Sequence, residues 1–305
     1  MIRELSAELA EIAKEQLNEN PKQIQSDLIQ IKEWIYKQPH LKARTDDQWL
    51  VALLRAGKFS LEKLKRKLEL YYTLRATAPE ITLRLKPTEQ EFVDFLKLGT
   101  CIILPKAETG ISPRVILIRP GAYDPSVHSV ADVICILYYL VQILVVEDDI
   151  ASIIGTKIVI DYEGVTMAHV MQANPSLLKK MVAVTQDSMP LRLRGSHHIN
   201  LPTGIEVIFS LVSGFLNEKA KQRLIIHKSV EELADFIPKD IIPVEYGGIG
   251  SSVANIIGYW VSKMREYKSW MQYEEKLGVD ESKRINMTTH SASEIEGSFR
   301  KLDID

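Results

Sequence analysis

The sequence lacks several features that would assign it to a specialised class of protein. It has two cysteines, Cys101 and Cys135, in 305 residues, which excludes a disulfide framework and favours a reducing compartment. Charges of the two signs nearly balance, with a formal net charge of -2. This balance argues against bulk nucleic-acid binding and confines any basic surface to a local patch. What remains is a globular chain long enough for a substantial core.

Long hydrophobic runs and targeting signals are also scarce. The longest mainly apolar run, residues 134–146, is about 13 residues long, which falls short of the roughly 20 that span a bilayer. Charged residues stand near the start of the chain, where a signal peptide needs an apolar run, and residue 2 is not the glycine of a myristoylation signal. We therefore expect a cytoplasmic protein with no membrane span and a buried helix over this run.

The first 90 residues show helical periodicity and no strand-like run. Apolar residues recur at helical spacing through residues 5–17 and again through 24–35. Ser60 is a suitable N-cap for a longer, basic helix that extends to Leu74. These patterns predict an N-terminal helical domain over residues 1–90.

Strand-like and helical patterns alternate after residue 90. The strand-like runs are residues 101–104, 113–118, 155–161 and 224–226. Helices are predicted over residues 130–146, 175–186, 230–236 and 253–271. This alternation predicts an α/β domain with a partly parallel sheet over residues 91–275. We expect the polar residues 276–305 to form a mobile tail.

The segment Pro190–Arg194 alternates apolar and basic residues with period two. As a strand, it places Leu191 and Leu193 on one face and Arg192 and Arg194 on the other. A half-buried edge strand with a solvated side explains the same pattern.

The helix predicted after this strand also combines an apolar face with basic residues. Its apolar stripe comprises Ile205, Ile208, Phe209, Val212, Phe215 and Leu216. Lys219 and Arg223 are four positions apart and share one face if the helix continues. Apolar and cationic faces in two neighbouring elements predict a protein that holds an oily molecule and contacts an anionic surface.

Five segments, in their order along the chain, resemble the CRAL-TRIO lipid-binding family. They are residues 155–161, 187–192, 199–202, 215–219 and 243–248, and residues 53–59 resemble the signature of the family's N-terminal domain. The resemblance covers about residues 20–275. It implies an N-terminal helical bundle followed by a mixed-sheet α/β domain that encloses one apolar ligand under a helical lid, here residues 203–216.

The resemblance also implies two binding sites. Arg192, Arg194, Lys219 and Arg223 match a basic cleft that holds a phosphoinositide head group. The expected ligand pocket comprises Cys135, Tyr138, Gln142, Ile160, Met181, Val184, Thr185, Leu191 and Leu193. The expected lid side chains are Ile205, Ile208, Phe209, Val212 and Leu216. Tyr138 and Gln142 stand where one member of the family carries small serines, so the ligand's identity stays open. Ordinary helix polarity explains Tyr138, Gln142 and Thr185 equally well.

Catalytic and cofactor motifs are incomplete. Ser196, His197, His198 and His227 offer a nucleophile and bases, but no Gly-x-Ser-x-Gly elbow accompanies them. Adjacent histidines point in different directions, which argues against a shared metal ion. The run at residues 248–252 lacks the third glycine of a dinucleotide-binding loop. We expect no enzyme, no cofactor and no metal site.

The sequence therefore predicts a monomer that transfers a small hydrophobic lipid, of tocopherol, retinoid or other isoprenoid type, between membranes. Docking and release would be coupled to phosphatidylinositol phosphates in anionic membranes, with transient membrane association and no nucleic-acid partner. An alternative is a phosphoinositide-sensing scaffold that moves no lipid. Lys63, Arg66 and Lys67, which share a helix face, would then recruit its partner.

Overall fold

The computed structural model describes residues 2–108 and 110–284, so most of the predicted tail lies outside the described residues. The N-terminal part is helical, as predicted. Its helices are α1 (Ala7–Leu17), α2 (Ile24–Tyr36), α3 (Asp47–Ala56), α4 (Leu61–Thr77), α5 (Pro79–Thr82) and α6 (Gln90–Lys97). Ser60 caps α4, as its sequence position predicts, because its hydroxyl accepts a hydrogen bond from the backbone N–H of Lys63.

The helical part contains one short strand, although the sequence predicted no strand within residues 1–90. Strand β1 (Leu41–Lys42) pairs antiparallel with β7 (Gly278–Val279). Two-residue strands carry too little periodicity to be recognised in the sequence. The pairing also places residues 278–279, which were assigned to a mobile tail, in an ordered contact with the N-terminal helices.

The central sheet has five strands in the order β2-β3-β4-β5-β6. The strands are β2 (Cys101–Ile103), β3 (Arg114–Ile118), β4 (Thr156–Asp161), β5 (Leu193–Ile199) and β6 (Leu224–Ile226). Strand β2 runs antiparallel to β3, whereas the other neighbouring pairs are parallel. The prediction of a mixed-sheet α/β fold is confirmed.

The remaining helices follow α6 along the chain. They are α7 (Val130–Glu147), α8 (Asp149–Ile153), α9 (Met167–Gln172), α10 (Pro175–Val182), α11 (Glu206–Phe215), α12 (Glu218–Gln222), α13 (Val253–Glu266) and α14 (Lys268–Glu274). Three predicted helices change form. Residues 183–188 continue α10 as a π-helical turn, Glu231–Asp235 is a 3-10 helix, and the helix predicted over residues 253–271 breaks at Tyr267.

Helix α7 is the centre of the core. By length and composition it could cross a membrane, but 83% of it is buried inside the protein. Asp132 accepts a hydrogen bond of 2.7 Å from the backbone N–H of Ser129, which fixes the first turn. The predicted buried helix is therefore confirmed.

Residues far apart in sequence meet at the Glu274 carboxylate, which is 1% exposed. Arg44 Nε donates to its Oε2 at 3.0 Å, and Arg75 Nη1 donates to its Oε1 at 2.9 Å. The Tyr71 hydroxyl adds a contact of 3.1 Å, and the Trp270 ring lies 3.4 Å from the Arg44 guanidinium carbon. This cluster joins α14 to the N-terminal helices.

Candidate functional site

One face of the sheet remains incompletely covered at its centre. Strand β4 has a hydrogen-bonded neighbour on each side, yet Ile158 and Ile160 on one face are only partly buried. In a packed parallel sheet such residues lie inside the core. Their β5 partners on this face are Ser196 and His198. We call this surface, together with the partly buried Leu193 next to it, the cleft floor.

Helix α11 lies over the cleft floor. The Phe209 ring is 4.7 Å from the His198 ring and 6.0 Å from the Tyr162 ring, measured between centroids. Ile208 and Val212 are also only partly buried. An apolar helix that contacts the floor while its own side chains stay partly exposed has the geometry expected of a lid.

The predicted lid segment is longer than the helix. Helix α11 begins at Glu206 and ends at Phe215, because the backbone of Leu216 is extended, with ψ at 146°. Ile205 is buried at 4% exposure just before the helix, and Leu216 follows it. Both residues therefore lie at the ends of α11, where a hinge of the lid would be.

The predicted pocket residues fall into two groups. Ile160, Met181, Thr185, Leu191 and Leu193 are partly buried, while Cys135, Tyr138, Gln142 and Val184 are fully buried. The Thr185 hydroxyl donates to the Met181 carbonyl at 2.8 Å, so part of its polarity is used within the π-helical turn. Only the first group retains surface that a ligand could contact.

Two pocket predictions are not supported by the contacts of the residues. Tyr138 stacks on Tyr71 of α4 with ring centroids 5.5 Å apart, and the Cys135 thiol lies against the backbone of Leu85. Both side chains face the N-terminal helices. The sequence could not predict this orientation, because the rotational phase of a helix cannot be fixed from sequence alone. Gln142 is buried, and its amide atoms have no hydrogen-bond partner among the described residues.

Arg192 and Arg194 share a face, as the alternation predicted, although strand β5 begins only at Leu193. The Arg192 guanidinium donates to the carbonyl of Ile153, and that of Arg194 donates to the carbonyl of Ile154. Both side chains pack over Gly155, where an added Cβ would lie 3.1 Å from Arg192 Cβ and from Arg194 Cγ. Backbone carbonyls at the end of α8 therefore hold the two cations side by side.

Arg223 completes a group of three arginines, here called the arginine cluster. Its guanidinium donates to the carbonyl of Leu193. Burial and repulsion by Arg194 and Arg223 lower the pKa of Arg192 to about 10, so it stays charged at neutral pH. Burial and repulsion by Arg223 also lower the pKa of Arg194. No carboxylate of the described residues forms an ion pair with the three, which leaves their charge uncompensated.

Lys219 and Arg223 lie one turn apart on a short helix that is separate from the lid helix. Asn217 starts the separate helix α12 by accepting a hydrogen bond from the backbone N–H of Ala220 at 2.8 Å, and Arg223 is its C-cap. The lid helix therefore does not continue to these cations, although their four-residue spacing still falls within one helical segment. Lys219 is exposed in the first turn of α12, directly after the lid.

Lys67 supports the segment before the arginine cluster, a role that the sequence did not predict. Its ammonium donates to the carbonyl of Asp187 at 2.9 Å and to that of Met189 at 2.8 Å. Burial lowers the pKa of Lys67 to about 8, partly opposed by Asp187. Its ammonium is therefore held by the protein's own carbonyls, which makes Lys67 less suited than Lys63 and Arg66 to the alternative interface on α4.

Substitution of Gly155 should disturb this arrangement. Its φ is +107°, and an added Cβ would lie 2.3 Å from the carbonyl oxygen of Arg192. We expect Gly155→Ala to lower the free energy of unfolding by about 2 kcal/mol or more. Gly214→Ala is the matched control, because nothing lies within 4 Å of its added Cβ. Equal denaturant midpoints for the two variants would contradict the expectation.

Two other concave regions lie away from the cleft. A cavity of about 350 Å³ is lined in part by Arg119, Glu163 and Tyr246, and a groove of about 720 Å³ includes Arg3 and Lys106. Neither is lined by a predicted ligand residue.

Comparison with known proteins agrees with this architecture. The family model of the CRAL/TRIO domain matches residues 110–248, and that of a Pinta-like UBA domain matches residues 20–92. The human protein named alpha-tocopherol transfer protein-like is 30% identical over 249 residues, which cover 80% of this chain and 71% of the relative. The chain belongs to the CRAL/TRIO family. Members of this family bind and transfer lipids.

Further relatives extend the CRAL/TRIO assignment. Rat clavesin-2 is 27% identical over 247 residues, which cover 80% of this chain and 75% of that protein. The crystal structure of Sfh5 aligns with a TM-score of 0.50 over 88% of this chain and 100% of that chain. Because its sequence identity is 14%, Sfh5 supports the fold alone.

Proposed function

We propose that this CRAL/TRIO protein binds one small hydrophobic lipid between the cleft floor and α11 and carries it between membranes. It works without catalysis, and it docks on membranes through a polyanionic head group held by the arginine cluster and Lys219. The observation that carries the proposal is the partly exposed apolar face of a central strand beneath an apolar helix. The proposed lipid is of tocopherol, retinoid or other isoprenoid type.

The cleft would lower the barrier to moving lipid through water. A lipid that leaves a bilayer for water loses about 0.8 kcal/mol of favourable free energy per methylene group. Contact with Ile158, Ile160 and Leu193 replaces hydrocarbon by hydrocarbon, so the net hydrophobic difference between bilayer and cleft is small. Shape and a few polar groups must then set the choice of ligand.

The arginine cluster is suited to a phosphorylated inositol. Each guanidinium has five N–H donors, and Arg192 and Arg223 each use one recorded bond to a backbone carbonyl. Phosphate oxygens accept bidentate bonds from arginine and would also relieve the repulsion within the cluster. Docking would place the protein transiently at the cytoplasmic face of anionic membranes.

Docking and release would be coupled through the chain that joins the two sites. Helix α11 leads directly into α12, which carries Lys219, and the backbone N–H of Asn217 contacts the Gln186 side chain at 3.4 Å. A head group that moves Lys219 therefore acts on the hinge of the lid.

Vesicle transfer kinetics test the proposal. Donor vesicles contain phosphatidylcholine and the C20 alcohol phytanol, and acceptor vesicles contain phosphatidylcholine with or without phosphatidylinositol bisphosphate. We expect protein at far below the lipid concentration to accelerate transfer, and to do so more strongly when the acceptor carries the phosphoinositide. Vesicle binding without accelerated transfer would instead support the sensing scaffold. Mass spectrometry of the organic extract of the purified protein would identify its own ligand.

A further inference from the structure

Three polar side chains are joined in a chain of hydrogen bonds on the cleft floor. The Ser196 hydroxyl lies 2.9 Å from His198 Nε2, and the Tyr162 hydroxyl lies 3.1 Å from His198 Nδ1. Ser196 and His198 are two residues apart on β5 and face the same side as Ile158 and Ile160. Phe209 of the lid covers the His198 and Tyr162 rings. The chain of bonds thus lies where a ligand would lie.

The imidazole of His198 is neutral in this setting. Burial, with repulsion by His197 and His227, lowers the pKa of His198 to about 4. A neutral ring has one N–H donor and one acceptor nitrogen. One hydroxyl therefore accepts from the ring and keeps its own O–H to donate, while the other donates to the ring and keeps its lone pairs. The group offers a ligand one donor and one acceptor.

We propose that Ser196, His198 and Tyr162 form a polar anchor that binds the terminal hydroxyl of an otherwise hydrocarbon lipid. An alcohol both donates and accepts one hydrogen bond, which matches what the anchor offers. A carboxylate would lose its hydration beside a neutral ring and the apolar Ile158 and Ile160, and no cation of the described residues is hydrogen-bonded to the Ser196, His198 or Tyr162 side chains. The inference rests on the proposed function and specifies its ligand class.

Catalysis is a less suitable role for the same group. A serine hydroxyl beside an imidazole resembles a nucleophile with its general base. An effective base has a pKa near the working pH, whereas His198 has a pKa of about 4. The second ring nitrogen contacts a tyrosine hydroxyl rather than a carboxylate, so no neighbouring negative charge stabilises an imidazolium. Binding uses the neutral ring as it is.

The test compares two ligands that differ in one hydroxyl. The protein is equilibrated with phosphatidylcholine vesicles that contain equal amounts of phytanol and its parent hydrocarbon phytane. It is then separated from the vesicles, and both lipids are quantified by mass spectrometry. We expect Ser196→Ala combined with His198→Leu to lower the bound phytanol-to-phytane ratio on the order of 10-fold. Phytane uptake should be unchanged or increased.

Single variants and a control separate the anchor from general damage. Tyr162→Phe removes one hydroxyl while keeping the ring, so we expect a smaller fall in the ratio. Ile160→Val changes the same floor without changing a polar atom and should alter the uptake of both lipids alike. An unchanged ratio in the double variant would overturn the anchor while leaving lipid transfer intact. Failure of the unsubstituted protein to take up either lipid would reject both the transfer function and the anchor.

Discussion

Replacement of Glu274 by alanine should destabilise the protein by about 3–5 kcal/mol. The substitution leaves Arg44 and Arg75, which are each 2% exposed, without the carboxylate that both contact. An uncompensated buried cation is costly because the protein interior solvates charge poorly. Equilibrium unfolding in urea would measure the loss as a lower midpoint.

The neighbouring Glu275 provides a control for this substitution. Its side chain is exposed and contacts the Thr88 hydroxyl at 2.9 Å. Glu275→Ala removes the same charge one position along the chain and should change stability by less than about 1 kcal/mol. If both variants unfolded at the same urea concentration, the cluster around Glu274 would have no special role.

Removal of two cations at the docking site should weaken binding to phosphoinositide vesicles by at least about 100-fold, since charge-assisted hydrogen bonds contribute roughly 1.5–3 kcal/mol each. The variant combines Arg192→Ala with Lys219→Ala. Arg192 is only partly buried and Lys219 is exposed, so the variant should still fold. Flotation with vesicles containing phosphatidylinositol bisphosphate measures docking, and phytanol uptake should be retained.

A charge-matched variant distinguishes a specific site from general attraction. Lys86→Ala with Lys97→Ala also removes two positive charges, from exposed side chains that pair with Glu89 and Asp94. This control should bind phosphoinositide vesicles nearly as well as the unsubstituted protein. Equal weakening of the two double variants would show that net charge alone governs docking. Phosphatidylserine vesicles of matched charge should discriminate little between them.

The sequence predicted the elements whose pattern is strong and local. The five strands of the central sheet, the buried helix α7 and the cap at Ser60 carry clear periodicity or capping chemistry, and each forms close to its expected position. Alternation through residues 191–194 also placed both arginines on one face. Local pattern was sufficient there because the partners of those residues are adjacent in the sheet.

Features that depend on distant partners could not be predicted. Tyr138 turns toward Tyr71 because α4 packs against that side of α7, and no residue near Tyr138 in sequence records this. The π-helical turn and the extended Leu216 backbone interrupt helices whose composition alone would let them continue. The sequence identified Ser196 and His198 as a candidate nucleophile and base. The hydrogen bond between His198 and Tyr162, however, depends on the register between β4 and β5.

The cluster at Glu274 has a consequence for synthesis on the ribosome. Arg44 and Glu274 are separated by 230 positions, and translation at ~5–20 residues per second needs roughly 10–50 seconds to cover that interval. During this time Arg75 lacks the carboxylate with which it pairs in the folded protein, and Arg44 has only the exposed Asp46. These helices therefore reach their final packing only after the sheet that follows them has emerged. The part of the chain that is synthesised first is thus among the last to become fully packed.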